Sequence, residues 1–170
     1  MSSQFERRID GTEFRTLITP VLGLPITRPW RGSGSALMLE LGALREEAPY
    51  SSGDQAAGPP SLRGVASVMV EWSWRVERAR SIAFGSWSSE LRITNGVATL
   101  RGHVVEAIAL TGRLPELQLQ LSGGLWVQSC NTSEGQPAWT IFLPDESWLT
   151  TVGGYVVHNT QNQNSRAPSA

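Results

Sequence analysis

The sequence contains no lysine, and all 14 basic residues are arginine. That absence excludes a Schiff-base lysine, a P-loop lysine and a lysine general base. Arginine in its place clamps anions well but is a poor proton carrier. A single cysteine, Cys130, excludes an intramolecular disulfide. Together with only two histidines, His103 and His158, it is too small a set of soft ligands for a zinc site, so neither a metal nor a cofactor is expected. No apolar run approaches the ~18 residues of a membrane span. The opening residues MSSQFERRIDGTEF hold no apolar leader segment, so a cytoplasmic location is expected. A net charge of -1 supplies no long-range field toward nucleic acid or an anionic membrane. There is no G-x-S-x-G elbow, and Gly32-Ser33-Gly34 lacks the rest of a phosphate-binding fingerprint.

What is present is strand periodicity. Leu37, Leu39 and Leu41 alternate with Met38 and Glu40, and Leu117, Leu119 and Leu121 alternate with Gln118 and Gln120. In the longest such run, Ala66, Val68, Val70, Trp72, Trp74 and Val76 share one face. Ser67, Met69, Glu71, Ser73, Arg75 and Glu77 share the other. At ~3.3 Å per residue that run would be ~40 Å long, so a bend or bulge is expected within it. A return strand over 81–87 and a strand over 103–110, covered on both faces, follow.

Asn95-Gly96 between apolar stretches reads as a type I′ hairpin, with a short helix over 88–100, capped at Ser88-Ser89-Glu90, as the competing reading. Pro20, Gly23 and Pro25 point to short extended pieces over 13–28. No segment shows a clear 3.6-residue stripe. The expected fold is mainly β, with antiparallel sheets in a barrel-like or sandwich arrangement and little helix.

The expected organisation is a flexible N-terminus over 1–12, one β domain over 13–158 and a disordered polar tail over 159–170. Residues 45–64, rich in Gly, Pro, Ser and charge, read as a long loop, either a solvated excursion or a lid. Gly23 matches Gly102, the Leu37 run matches the Leu117 run, Trp72 matches Trp139 and Trp87 matches Trp148. The domain is therefore expected to consist of two similar halves, 13–94 (with 45–64 as an insertion) and 95–158.

Three motifs carry a likeness: Phe84-Gly85-Ser86-Trp87-Ser88, Gly112-Arg113-Leu114-Pro115-Glu116-Leu117 and Thr132-Ser133-Glu134-Gly135-Gln136-Pro137-Ala138-Trp139. With them the chain resembles, over residues 20–158, a group of small uncharacterised bacterial proteins. That pattern often has an acidic residue at Ala138 and an aromatic at Cys130. The resemblance implies a shared fold and no activity.

Seven tryptophans are many for 170 residues. Trp72 and Trp74 are expected in the core. Trp87, Trp126, Trp139 and Trp148 are open between a second small core and an exposed contact surface, where Trp and Arg concentrate binding energy. The loop around Glu134, Gly135, Gln136 and Pro137 is the other candidate site, with Arg113 and Glu116 beside it in the motif set. Glu71, Arg75 and Glu77 read as surface ion pairing, and an acid–base pair is the sharper alternative.

Cys130 reads as a buried inert thiol, because neither histidine sits in a motif that would activate it. Trp72, Trp74, Arg75, Arg78, Arg80 and Trp87 resemble a single-strand nucleic-acid platform in composition, but the interleaved Glu71 and Glu77 argue against it. The expected function is a non-catalytic binding domain. Its partner is another protein, with an immunity-type or regulatory role as one version, or a second copy in a homodimer. A small-molecule binder or hydrolase-like enzyme, with a cleft between the halves, is the alternative.

Overall fold

The computed structural model describes residues 4–47, 61–134 and 137–161. The chain opens with strand β1 (Gln4–Arg8) and helix α1 (Gly11–Ile18). Asp10 caps α1, its Oδ1 accepting from the backbone N–H of Thr12 at 2.8 Å and of Glu13 at 2.9 Å. Phe14 and Ile18, one turn apart, form the buried face, and Phe14 packs edge-on against Trp139. A 3-10 turn over Thr19–Val21, with Pro20 as its second residue, comes next, and β2 (Ile26–Arg31) and β3 (Leu37–Leu41) follow.

Two short strands, β4 (Arg45–Glu47) and β5 (Ser61–Arg63), pair with each other. Next come β6 (Ala66–Val70), β7 (Trp74–Arg78), β8 (Ser81–Gly85) and helix α2 (Glu90–Ala98). The chain continues through β9 (Val105–Thr111), β10 (Glu116–Leu121), β11 (Leu125–Ser129), β12 (Trp139–Phe142), β13 (Trp148–Val152) and β14 (Tyr155–Gln161).

The fold is mainly β and antiparallel, as the alternation implies. A seven-stranded sheet runs β1-β14-β13-β12-β6-β3-β2, and a five-stranded sheet runs β8-β7-β11-β10-β9. The inner faces of both sheets feed one hydrophobic cluster: Leu37, Leu39, Leu41, Val68 and Ile141 from the first, Val76, Leu117, Leu119, Leu121 and Val127 from the second. Two indoles cross-link the sheets through polar tips. Trp74 Nε1 donates to the Ser35 carbonyl at 2.7 Å and Trp139 Nε1 to the Pro115 carbonyl at 2.8 Å. Along one side the sheets also join through backbone, where Ile26 N donates to the His103 carbonyl and Gly102 N to the Ile26 carbonyl around a Pro25–Val104 bridge.

The long alternating run does break, and the break decides the topology. Residues 66–70 pair with β3 and β12 in the larger sheet, and residues 74–78 pair with β8 and β11 in the smaller one. Trp72 falls in the crossing segment and is exposed at 48%, so its expected place in the core is corrected, while Trp74 is buried. Because β6 and β12 pair directly, everything between them is an excursion that builds the second sheet. The leucine runs of β3 and β10 are both fully buried, from different sheets. A duplication is not shown by that arrangement.

Other expectations change. Residues 4–8 pair along their whole length with β14 and are not a loose terminus, and Asn159–Gln161 belong to that strand. The tail beyond 161 and residues 48–60 of the proposed long loop lie outside the described residues. β9 is an edge strand with Glu106 and Ala109 exposed, so it is not covered on both faces.

The Asn95-Gly96 hairpin is overturned. Both residues lie inside α2, whose Ser89 cap accepts from Arg92 N at 3.4 Å. Gly96 is there for space, because a Cβ on it would meet ring carbons of buried Phe84 at 2.6–2.8 Å. Gly96→Ala therefore sets helix propensity, worth ~1 kcal/mol in favour of Ala, against overpacking of ~1–3 kcal/mol. The expected outcome is a fall in the denaturant midpoint of unfolding, not the rise propensity alone would give. The cap supplies a second prediction. The two N–H donors hold the Asp10 carboxyl below the usual carboxylate range. Its stabilising contribution is present above ~4 and is lost as pH falls through the lowered folded value. Asp10→Asn should keep the cap and flatten that acid limb in thermal unfolding followed from neutral to acid pH.

Candidate functional site

The turn that follows β8 is closed from within. A Cβ on Gly85 would lie 2.7 Å from the Trp74 carbonyl oxygen, so only glycine lets β8 approach β7 here. Ser86 then latches the two strands: its Oγ accepts from Trp74 N at 3.1 Å and donates to the Trp74 carbonyl at 3.2 Å. Ser88 closes the turn, its N–H donating to the Gly85 carbonyl at 2.9 Å and its Oγ accepting from Gly85 N at 3.1 Å.

With Gly85, Ser86 and Ser88 committed to backbone, Trp87 is the residue left pointing outward, 77% exposed. It meets Trp72 from the crossing segment, with ring centroids 4.7 Å apart at 52°, and its Nε1 donates to Ser73 Oγ at 3.1 Å. Exposed Ile82 stands beside them. Under Trp87 lies a hollow of about 410 Å³, walled by Ser73, Trp74, Ile82, Arg75, Cys130 and Thr132. An aromatic pair held at the surface by polar contacts is the arrangement found at interface anchors.

Arg75 forms the floor of that hollow. Its Nε donates to Glu77 Oε1 at 2.6 Å and its Nη1 to Cys130 Sγ at 3.1 Å. The Glu77 hydrogen bond, ahead of any other influence, pushes the guanidinium further toward its charged form. The pair is thus an arginine clamp and not an acid–base couple, and Glu71 stands outside it. Burial pushes the Cys130 thiol up. Arg75 opposes that shift, and the carboxylates of Glu116 and Glu77 reinforce it. His103 is occupied elsewhere, its Nδ1 2.6 Å from the Ser122 carbonyl oxygen, and His158 lies in β14 with Nε2 buried and without a partner among the described residues. Among the described residues the side-chain hydrogen bond to the thiol comes from Arg75, and neither histidine makes one.

A second hollow, of about 520 Å³, shares Thr132 with the first and lies between the β9–β10 turn, the segment after β11 and the β13–β14 turn. Glu116 and Glu134 both line it, with apolar walls from Leu114, Pro115 and Val152. Glu116 acts there as a strut: Asn131 N donates to Oε1 at 2.7 Å and Ser129 Oγ contacts Oε2. Glu134 is exposed. Among the described residues its walls come from 114–154, so it lies between the sheets but not between the two halves expected from the sequence.

The remaining expected site residues scatter. Arg113 is exposed on the β9–β10 turn and does not line the hollow with Glu116. Trp126 is half-buried on the outer face of the five-stranded sheet, between Gln120 and Glu77. Trp139 is fully buried, so it serves the core and offers no contact surface. Gln136 lies outside the described residues.

Trp72 was missed as a surface residue because its parity matches that of Trp74. The signal that could have separated them is the improbable length of the strand. No group of three or more His, Cys, Asp or Glu residues able to hold a metal occurs among the described residues, and no described helix is long and apolar enough to cross a membrane.

Comparison of the chain finds no matching protein family, no matching curated protein and no matching solved structure. The raised thiol pKa is open to direct measurement. Alkylation of Cys130 by iodoacetamide in the folded protein should show a pH midpoint above the ordinary ~8.5 of a free thiol, returning to that value in denaturant. A folded-state midpoint at or below it would contradict the desolvation argument.

Proposed function

We propose that the protein is a cytoplasmic, non-catalytic binding module that engages another protein through the Trp72–Trp87 pair and the hollow beneath it. One observation carries this reading. The Gly85–Ser88 turn spends every small residue on backbone contacts and holds a tryptophan 77% exposed, next to a second tryptophan and Ile82. Removing that apolar surface from water is worth roughly 25 cal/mol per Å², and in the described residues nothing of the chain itself claims it.

The arginine-rich, lysine-free composition agrees with this, since arginine and tryptophan are the side chains that anchor interfaces. The chemistry around the hollow points away from catalysis. Burial pushes the Cys130 thiol pKa up, Arg75 is bound to Glu77, and His103 is engaged with the Ser122 carbonyl. A regulatory or immunity-type role, in which the module occludes its target, is the version of this reading that needs no chemistry from the chain.

The second reading is a small molecule in the hollow shared by Glu116 and Glu134. It is favoured by the two carboxylates and the absence of any basic residue in the described lining, which suits a neutral or cationic ligand.

The test uses Trp72→Ala/Trp87→Ala. Both side chains are exposed, so thermal stability should change little, within ~0.5 kcal/mol per site. Retention of a partner from the native lysate, or self-association seen by light scattering, should weaken by ~2 kcal/mol or more, about thirtyfold. A wild-type protein that is strictly monomeric and retains nothing the double variant does not also retain would sink the proposal.

A further inference from the structure

On the opposite side of β8 from the hollow, an open groove of about 620 Å³ runs between β8 and α2. Two arginines line it, Arg78 at the end of β7 and Arg92 in the first turn of α2. They are fourteen positions apart in sequence (92 − 78) and meet only because α2 lies back along β8. No carboxylate lines the groove, and among the described residues neither arginine is in an ion pair.

Of the carboxylates nearby, Glu77 is held by Arg75 at 2.6 Å, and Glu90, 87% exposed, lies 3.5 Å from Arg31. A chain with a net charge of -1 thus carries a local positive excess here. Arg92 is held in place: its Nε and Nη2 both donate to the Ala83 carbonyl, at 3.3 and 2.8 Å. Its charge is then presented across the edge of β8 at little further cost in side-chain freedom. The same bonds, with Ser88 on Gly85 N, occupy the β8 edge, so an incoming chain would be recognised by side chains and not by strand addition. Leu91, 73% exposed, adds one apolar side chain to a mostly polar lining.

We propose that this groove binds an acidic segment of the protein partner, with Arg78 and Arg92 pairing to its Asp or Glu side chains while an apolar residue of the same partner covers Trp72 and Trp87. The inference rests on the binding-module reading and names the chemistry of the partner. Guanidinium groups favour carboxylates through paired N–H donors. The groove is open and lined by both arginines together with Leu91, so an acidic segment that carries an apolar residue engages more of it than a free anion does. Nucleic acid fits less well, because its affinity comes from many phosphate contacts and the groove supplies two cations.

The probe is a fluorescein-labelled peptide of Asp, Glu and Leu, followed by anisotropy against the full chain. Its Lys-substituted counterpart, a labelled oligo-dT and inorganic phosphate are measured in parallel. Binding of the acidic peptide alone is expected, weakening as salt is raised from ~0.05 to ~0.5 M. Arg78→Glu should lower affinity about tenfold or more. That variant touches no side-chain partner in the described residues, so its effect is separate from folding. Arg92→Glu should do the same but also removes the bonds to Ala83.

Failure of the acidic peptide to bind, or binding unchanged by Arg78→Glu, overturns the proposal. So does oligo-dT binding as tightly with the same arginine dependence, or displacement of the peptide by inorganic phosphate at low millimolar concentration. The two readings separate cleanly. If a partner is lost with Trp72→Ala/Trp87→Ala but kept with Arg78→Glu, the tryptophan anchor stands and the acidic partner falls. If both variants keep it, both readings fall.

Discussion

The structure depends on one crossing, at residues 71–73, where a single run of alternating side chains stops serving one sheet and starts serving another. Val70 pairs with Leu37 and Trp139 in the larger sheet, and four residues later Trp74 pairs with Ser129 in the smaller. A bare chain crossing between sheets would leave backbone groups unpaired, which is costly in a folded interior. Here they find partners. Glu71 N donates to the Ala138 carbonyl and Cys130 N to the Ser73 carbonyl, both in the segment that leads from β11 to β12. The outgoing and returning passages thus satisfy each other. The same crossing leaves Trp72 outside the core, where the Gly85–Ser88 turn meets it with Trp87. Topology, core closure and the exposed aromatic pair therefore share one cause.

Much of the scaffold was legible because burial leaves a two-residue period. Leu37, Leu39, Leu41, Leu117, Leu119 and Leu121 face the core as their alternation implies. The helices were only partly legible: Ser88-Ser89-Glu90 offered α2 as the competing reading over 88–100, but each helix is only two to three turns long and packs two residues of its own span, Phe14 and Ile18 or Ile93 and Val97. So short a stripe does not rise above the polar background. Their true signals were the caps, Asp10 and Ser89. Asn95-Gly96 misled because a glycine can be selected for lack of volume as well as for positive φ, and the volume constraint comes from Phe84, distant in sequence.

The candidate surface was half legible. Tryptophan and arginine excess suggested an exposed contact surface, and the Gly85-Ser86-Trp87-Ser88 motif proved to be the turn that holds Trp87 outward. Which tryptophans were exposed depended on where the strand broke, and parity alone does not show that. Glu116 drew notice as a carboxylate in a motif, but its oxygens are spent on Ser129 and Asn131, a role set by tertiary contact. Arg92 carries no local pattern, and Arg78 stood out only within the aromatic and basic run from Trp72 to Trp87. They become a pair only once α2 is known to be a helix lying along β8, so the error over Asn95-Gly96 hid the groove as well.

The nested strand order also constrains how the chain can fold. The five-stranded sheet draws only on residues 74–129, a continuous stretch whose neighbours in space are mostly near in sequence. The seven-stranded sheet takes strands from both sides of it, and its outermost pair joins Gln4 to Gln161, 157 positions apart (161 − 4). Closing contacts of that separation raises contact order and slows folding. During synthesis, β1 must wait for β14, the strand made last, whereas β2 and β3 can pair with each other and then with β6 well before it emerges. The smaller sheet, which carries the tryptophan pair, can assemble while the larger one is still incomplete.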